Sequence, residues 1–257
     1  MEMQVLTAFH TDVGNEKAIN EDSLLIEVAE TNRGTAILAV VCDGMGGLSK
    51  GELASATVVR AMQAWFLEEF PAQLANADME SEIRYQWDRI MKEQNRRIGA
   101  YGKTHKVQIG TTLTALLIVG EELMLIGHIG DCRVYRIFGE MERLTEDHTV
   151  ANQEAQHGNL VPDEVADDSR RNLLLQCIGA SKVLEPDFIA GRARAGEGYL
   201  LCSDGFRGSI TEEEIASALP MEDLKDEAAM EGRLRQLTER NMARGESDNI
   251  TAILIKL

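Results

Sequence analysis

The residues best suited to chemistry are carboxylates that stand at the ends of apolar segments. Asp43 follows ILAVVC, Asp131 follows LIGHIG, Asp204 follows YLLCS, and Asp248 precedes NITAILI. A carboxylate in such a place needs a partner, because burying an unpaired charge is unfavourable. One case alone would be interpreted as a turn residue or a helix cap. Four cases at strand boundaries favour a shared site for cations.

The surroundings of these carboxylates support the same interpretation. Asp43, Asp131 and Asp204 each adjoin a glycine, which lets the backbone turn sharply and approach a ligand. Glu21 and Asp22 add two carboxylates just before a predicted strand. Hard divalent cations such as Mg2+ prefer oxygen ligands, and a pair of them can make a bound water acidic and hold a phosphate in line with it. The sequence has no histidine pattern of the zinc hydrolases, so we expect a carboxylate-held centre.

The composition narrows the class of protein. The chain has 257 residues, 44% of them hydrophobic, and a formal net charge of −17. It is long enough for a substantial core, which excludes a disordered chain. The negative charge repels nucleic acid and anionic membrane surfaces, so we expect neither as a partner. The longest apolar run, 36–42, is far shorter than the roughly 20 residues that span a bilayer.

The four cysteines are not arranged for zinc binding or for redox pairing. Cys42, Cys132, Cys177 and Cys202 form no C-x-x-C motif. A cysteine nucleophile that binds phosphate through an Arg six residues later is excluded, because positions 48, 138, 183 and 208 hold Leu, Phe, Val and Gly. The chain begins without the basic and apolar regions of a signal peptide, and free thiols are typical of the cytoplasm. We therefore expect a cytoplasmic protein.

Hydrophobic periodicity predicts an α+β layered domain. Apolar and β-rich runs predict strands at 5–9, 23–29, 35–42, 111–119, 123–129, 133–138, 188–193, 199–202 and 250–255. Apolar residues at helical spacing predict helices at 53–66, 83–98, 212–218 and 221–242. We expect the glycines of 99–102 to close the second helix, and Trp65 and Trp87 to anchor the core. The three strands between 111 and 138 are expected to form one antiparallel meander.

The carboxylates lie in motifs that occur together, in this order, in one known family. The motifs are NED at 20–22, VCDGMGG at 41–47, GTT at 110–112, HIGDCRVY at 128–135, LTEDH at 144–148, RN at 171–172, CIG at 177–179, LCSDG at 201–205 and SDNIT at 247–251. Through this ordered set the chain resembles the metal-dependent protein phosphatases of the type 2C family, in their bacterial form.

The resemblance implies a fold and an activity. The fold would be a four-layer α-β-β-α sandwich, with two central antiparallel sheets flanked by helices, forming one domain over residues 1–257 with a flap at 149–187. The activity would be hydrolysis of phosphoserine and phosphothreonine by a hydroxide that bridges two metal ions, without a covalent intermediate. Two or three Mn2+ or Mg2+ ions are implied. The substrates would be phosphorylated proteins, targets of a bacterial Ser/Thr kinase, and we expect a monomer.

The resemblance also implies a role for each carboxylate. Asp43 would bridge two metals, and the carbonyl of Gly44 would bind one of them. Asp204 and Asp248 would complete the other metal's ligands. The remaining implied positions are Glu21 and Asp22, which hold a metal or its waters, Asp131, which shares a third metal with Asp204, and the supporting residues Asn20 and Asn249. Asp43 and Asp22 are thus expected to be catalytic.

The chain departs from the family pattern at positions that matter for catalysis. Lys17 stands where the family has an Arg, so we expect it to bind the substrate phosphate as a point charge without the planar guanidinium fork. Met45 replaces a His that some members use as an acid, which leaves a metal-bound water for that role. His128 and His148 are expected to be structural.

Two other functions stay open at this stage. One is a binding module of the same fold with weak or no catalysis, which Lys17 would favour and the intact aspartates oppose. The other is a Ca2+-binding protein, although the chain lacks the D-x-D-x-D-G loop of an EF-hand.

Overall fold

The computed structural model describes residues 5–46, 50–161, 165 and 168–257. Gly47 of the second motif and Pro162 of the predicted flap lie outside the described residues. The strands are β1 (Leu6–Asp12), β2 (Ser23–Thr31), β3 (Gly34–Cys42), β4 (Gly44–Gly46), β5 (Ile109–Thr111), β6 (Leu113–Val119), β7 (Leu123–Ile129), β8 (Arg133–Phe138), β9 (Glu140–Arg143), β10 (Asp187–Gly191), β11 (Gly198–Cys202) and β12 (Ile250–Lys256). The helices are α1 (Gly51–Glu68), α2 (Phe70–Gln73), α3 (Met79–His105), α4 (Val150–Gln156), α5 (Asp204–Arg207), α6 (Glu212–Ala218) and α7 (Glu227–Ala243).

The strands form two antiparallel sheets and a short ribbon. Sheet A has the order β1-β12-β11-β8-β9, and sheet B has the order β10-β7-β6-β3-β2. Strands β4 and β5 pair with each other as a separate ribbon. Every named pair is antiparallel. Among the described residues, no helix is long and apolar enough to cross a membrane.

The four layers follow from the alternation of side chains along the strands. In β3, Leu38 and Val40 belong to the apolar cluster that α1 and α3 cover. Ile37, Ala39 and Val41 point the other way, into the cluster between the two sheets. A third cluster joins sheet A to α6 and α7. β3 therefore has both faces covered, which explains its continuous apolar sequence, and the predicted α-β-β-α sandwich is confirmed.

Trp65 and Trp87 anchor the helical layer over sheet B, as the sequence predicts. Both are almost fully buried, and their rings meet edge to face with centroids 5.4 Å apart. The indole nitrogen of Trp65 donates a hydrogen bond to Gln86 Oε1 at 2.7 Å. α1 and α3 are thereby held against each other above the strands that carry the carboxylates.

The predicted end of α3 at 99–102 is wrong, because the helix continues to His105 and is closed by Lys106 at a positive φ of 55°. The two glycines serve close packing instead. A Cβ on Gly99 would lie 3.0 Å from the carbonyl oxygen of Gly179, and one on Gly102 would lie 2.8 Å from that of Val107. Glycine at these positions lets other backbone segments approach the helix.

The predicted single meander is also wrong, because its strands belong to different sheets. β6 pairs with β7 in sheet B, whereas β8 pairs with β11 and β9 in sheet A. The chain changes sheets at Gly130, whose φ is +110°. Alternation alone cannot show which sheet a strand joins. The change places Asp131 between the ends of the two sheets.

One further difference concerns the start of the last helix. Residues 221–226 are not helical; α7 begins at Glu227, where Asp226 caps it by accepting a hydrogen bond from the amide of Ala229 at 2.8 Å. The predicted flap begins with α4, which Thr149 caps through the amide of Asn152 at 3.3 Å.

Candidate metal centre

Three of the predicted aspartates lie at one end of sheet B. Asp43 directly follows β3 and Asp22 directly precedes β2. Ser23 pairs with Cys42 in the antiparallel register, so the two aspartates leave the sheet at the same end. Asp131 stands two residues after β7, beside the point where the chain crosses to sheet A.

The other two aspartates come from sheet A at the same end of the sandwich. Asp204 begins α5 just after β11, and Asp248 lies two residues before β12. Cys202 pairs with Ala252, so both carboxylates leave sheet A at neighbouring positions. Strand ends from two separate sheets therefore supply the five aspartates of one cluster, which we call the carboxylate cluster.

The carboxylate cluster is an unfavourable place for negative charge without a cation. Burial raises the pKa of Asp43 well above its ordinary value, and the charges of Asp22, Asp204, Asp131 and Asp248 raise it further. Burial also raises the pKa of Asp22 to about 7, with Asp204 adding to the shift. The pKa of Asp131 rises to about 7 for the same two reasons, although Arg207 opposes the shift. Burial and the neighbouring carboxylates thus destabilise the charged forms of Asp22, Asp43 and Asp131.

Several oxygens of the cluster have no hydrogen-bond partner. Both carboxylate oxygens of Asp22 and the Oδ1 of Asp204 are buried and have no hydrogen-bond partner among the described residues. The hydroxyls of Thr251 and Ser203 lie near Asp22, but neither makes a well-formed hydrogen bond to it. Unpaired buried oxygens of this kind fit divalent cations, which take oxygen ligands. Within the described ranges, no group of three or more His, Cys, Asp or Glu side chains is placed so that it could hold a metal ion without rearrangement.

Glu21 and Gly44 lie where three backbone segments meet. The Oε1 of Glu21 accepts a hydrogen bond from the amide of Gly51, at the start of α1, at 2.8 Å. A Cβ on Gly44 would lie 2.4 Å from the carbonyl oxygens of both Glu21 and Gly51. Only glycine fits this contact, which keeps the Gly44 backbone beside Asp43 and close to Glu21.

Asn20 and Asn249 fasten the segment that carries Glu21 and Asp22. The Oδ1 of Asn249 accepts from the amide of Glu21 at 2.9 Å, and its Nδ2 donates to the carbonyls of Val13 and Ile19 at 2.9 and 3.1 Å. The Oδ1 of Asn20 accepts from the amide of Asp22 at 3.1 Å. These are the contacts that a supporting residue needs to orient a ligand.

Lys17 lies at the rim of the carboxylate cluster. Its Nζ is 2.9 Å from the Oδ1 of Asp248, and both side chains are about two-fifths exposed. The hydrogen bond to Asp248 raises the pKa of Lys17. The predicted phosphate-binding lysine therefore contacts a predicted metal ligand, and it is charged beside the site.

Two threonines that hold the backbone of Asp43 were not predicted to have a role. Thr112 Oγ1 accepts from the amide of Asp43 at 2.8 Å, and the amide of Thr112 donates to the carbonyl of Asp43 at 2.9 Å. Thr111 Oγ1 donates to the same carbonyl at 2.8 Å. The signal was present as the GTT motif, but only the pairing of β4 with β5 shows what the hydroxyls contact.

Arg207 is a second residue that sequence reasoning missed. Its Nη2 donates to the carbonyl of Asp131 at 2.8 Å and lies 3.4 Å from Asp147 Oδ2. Asp147 is also bound by both ends of the Arg133 guanidinium, at 2.8 and 2.7 Å. Although burial alone would raise it, the pKa of Asp147 is lowered by Arg133 and Arg207. A buried ionic network thus supports the loop of Asp131.

The fold and the carboxylate cluster define the class of protein, an α-β-β-α sandwich with a group of aspartates at one end of its two sheets. Residues 14–254 match the profile of the family described as Protein phosphatase 2C. The chain belongs to this family.

Individual relatives agree with the family match. The serine/threonine protein phosphatase PstP of Mycobacterium tuberculosis is 32% identical over 250 residues, which is 96% of this chain and 44% of PstP. The chain thus spans less than half of that relative. Protein phosphatase PhpP of Streptococcus pneumoniae is 29% identical over 263 residues, covering 100% of this chain and 98% of PhpP. A crystal structure of the PstP catalytic domain, in complex with two manganese ions, superposes with a TM-score of 0.78 at 30% identity, covering 98% of this chain and 97% of that one.

Proposed function

We propose that this chain is a metal-dependent protein phosphatase that hydrolyses phosphoserine and phosphothreonine. The main observation behind the proposal is the carboxylate cluster, to which both sheets contribute aspartates. Several of the buried carboxylate oxygens have no hydrogen-bond partner among the described residues. Family membership supports the activity, as do a relative named as a serine/threonine protein phosphatase and another named as a protein phosphatase.

Each carboxylate has a proposed role in binding the metal ions. Asp43 is proposed to bridge two Mn2+ or Mg2+ ions, because the charges of four other aspartates act on it. Asp204 and Asp248 are proposed as ligands of one ion, and Gly44 of the other. Glu21 and Asp22 would hold a metal or its waters, and Asp131 with Asp204 a third ion. The bound ions would supply the Lewis acidity that makes water a nucleophile at neutral pH.

Lys17 is proposed to bind the substrate phosphate from the rim. Its ammonium is charged and partly exposed, and it lies 2.9 Å from Asp248. A phosphate that entered the site would share this ammonium with Asp248. Asn20 and Asn249 are proposed to keep the ligand segment in place through their hydrogen bonds to the amides of Asp22 and Glu21.

The two histidines that could act as acids in hydrolysis, His128 and His148, already have hydrogen-bond partners. His128 is fully buried, with one ring nitrogen 2.9 Å from Thr114 Oγ1 and the other 3.0 Å from the carbonyl of Glu146. His148 contacts Asp187 and Gln176 at 3.0 Å each. These contacts support a structural role for both histidines.

The cysteines are also poor nucleophiles. Burial raises the pKa of all four thiols, so that the thiolate form is disfavoured. This supports direct attack by water without a covalent enzyme intermediate. The wider setting we propose is a monomer in the bacterial cytoplasm that reverses the action of a Ser/Thr kinase.

The test is release of phosphate from a phosphothreonine peptide with Mn2+ or Mg2+, and then with excess chelator. We expect release that requires the metal and falls to background in Asp43→Asn. Asp223→Asn, at an exposed position, is the matched control and should keep full activity. No release with either metal, or full activity in Asp43→Asn, would overturn the proposal. A protein that bound phosphopeptides without hydrolysing them would instead be the binding module considered above.

A further inference from the structure

A large cleft lies beside the carboxylate cluster on the side of α3. It encloses about 1250 Å³ between the C-terminal half of α3, the β4–β5 ribbon and residues 177–182. Lys103, Lys106 and Arg96 line it from α3 and its end, and Lys182 lines it from the opposite wall. We call this feature the basic cleft.

The charge of the basic cleft is opposite to that of the whole chain. Its described lining contains four basic side chains and no acidic one, although the chain carries a net charge of −17. Arg96 forms an ion pair with Glu93. Lys103, Lys106 and Lys182 are exposed and, in the part of the chain that the structure describes, have no ion-pair partner. Three uncompensated cations therefore face one concave surface.

The ribbon connects the basic cleft to the carboxylate cluster. Gly44 pairs with Thr111 at the end near Asp43, whereas Gly46 pairs with Ile109 at the end that lines the cleft. Two residues of extended chain span about 7 Å. An extended peptide with a phosphorylated residue at the carboxylate cluster would place side chains a few residues away within reach of the cleft.

The wall of the basic cleft is fixed by hydrogen bonds rather than loosely placed. Asn95 of α3 accepts from the amide of Gly179 at 2.7 Å and donates to the carbonyl of Ser181 at 2.9 Å. A Cβ on Gly99 would lie 3.0 Å from the carbonyl oxygen of Gly179, so the two segments meet backbone to backbone. These contacts hold the segment of Lys182 opposite Lys103, and a preformed site loses less entropy on binding.

We propose that the basic cleft binds acidic residues that flank the phosphorylated residue of a protein substrate. The proposal rests on the proposed function, because the ligand is a segment of the phosphatase substrate. The argument for this ligand is charge complementarity. The chain as a whole repels acidic peptides, whereas three lysines without an ion-pair partner in the described part of the chain line one cleft beside the carboxylate cluster. The phosphate itself would bind at the carboxylate cluster, and the basic cleft would select among phosphoproteins.

The test compares two phosphothreonine peptides, one with Asp and Glu at the two to five positions on either side of the phosphothreonine and one with Asn and Gln there. The test variant carries three substitutions together, Lys103→Glu, Lys106→Glu and Lys182→Glu. We expect the wild type to favour the acidic peptide in kcat/KM at low salt, and the variant to lose roughly tenfold on that peptide, mainly through KM. Turnover of the neutral peptide and of p-nitrophenyl phosphate should change less than about twofold, since the peptide's flanking residues carry no charge and p-nitrophenyl phosphate is too small to reach the lysines.

A variant of equal charge serves as the control. Arg60→Glu with Arg192→Glu and Arg233→Glu changes the net charge by the same amount at exposed positions outside the basic cleft. We expect it to keep the preference for the acidic peptide. Equal losses in both triple variants would show a general field effect and would overturn the proposal, as would equal kcat/KM for the two peptides in the wild type.

Fluorescence anisotropy with the labelled peptides separates this proposal from the proposed function. Binding that favours the acidic peptide and is lost in the lysine variant would support the basic cleft even if no peptide were hydrolysed. Metal-dependent hydrolysis without any preference for the acidic peptide in binding or kcat/KM would support the proposed phosphatase activity. It would overturn the proposed role of the basic cleft.

Discussion

Replacing Asp22 with Asn should stabilise the metal-free protein while it weakens metal binding. Both carboxylate oxygens of Asp22 are buried without partners, and burial raises its pKa from 3.8 to about 7. At about 1.4 kcal/mol per pKa unit, the charged carboxylate destabilises the fold by up to about 4 kcal/mol above pH 7. An uncharged amide removes that penalty, although its own unpaired hydrogen-bonding groups cost about 1–3 kcal/mol. We expect a net gain of about 2 kcal/mol at pH 8.

The assay is urea unfolding in the presence of chelator. With a slope of about 3 kcal/mol per M, the midpoint of Asp22→Asn should rise by about 0.7 M at pH 8. The sign follows from linkage. A carboxyl with a raised pKa binds its proton more tightly in the folded state, so the folded wild type regains stability as pH falls below 7. The advantage of Asp22→Asn should therefore disappear near pH 5.

Adding Mn2+ should reverse the order of the two proteins. The wild type should gain about 2.7 kcal/mol when the free metal exceeds its dissociation constant about 100-fold, and Asp22→Asn should gain far less. Asp223→Asn, at an exposed site, should stay within about 0.5 kcal/mol of the wild type in both conditions. Lower stability of Asp22→Asn at pH 8 without metal, together with an undiminished response to Mn2+, would show that Asp22 is neither a destabilising buried charge nor a metal ligand.

Three other substitutions test the surroundings of the site. Thr112→Val removes the acceptor of the Asp43 amide, and Mn2+ titration should show affinity weakened about 10- to 100-fold. His128 has a pKa lowered by burial to about 4, so it stays neutral in the fold while the unfolded chain gains a proton below pH 6.5. Urea midpoints should therefore show the stability of the wild type relative to His128→Gln falling by about 3 kcal/mol from pH 6.5 to 4. Arg207→Met removes a buried cation that offsets the charges of Asp131, Asp147 and Asp204 and should lower the free energy of unfolding by about 3–5 kcal/mol, whereas Arg235→Met, at an exposed ion pair, should change it by less than about 1 kcal/mol.

Sequence alone could locate the carboxylates because strand ends are visible in it. The apolar runs before Asp43 and Asp204 and after Asp248 mark buried strands, and those strands exist in the structure with nearly the expected bounds. Residues directly before or after a buried strand must lie at one end of the sheet, where its strands begin or finish. Motif order then identified the family, which the family profile confirms.

The sequence could not show how the ends of the two sheets come together. Nothing in the alternation of β7 and β8 shows that the chain changes sheets at Gly130, yet that change brings Asp131 to the cluster. The roles of Thr112 and Arg207 were hidden for the same reason, since both act through contacts between distant segments. Gly99 and Gly102 misled the prediction because glycine permits close packing as well as ending a helix.

The central claim is that the carboxylate cluster holds divalent cations around Asp43. Its most direct test is equilibrium dialysis of the metal-free protein against Mn2+, with the bound metal counted by mass spectrometry. We expect two tightly bound ions per chain in the wild type and in Asp223→Asn, and less than one in Asp43→Asn. Equal binding by Asp43→Asn and the wild type would contradict it.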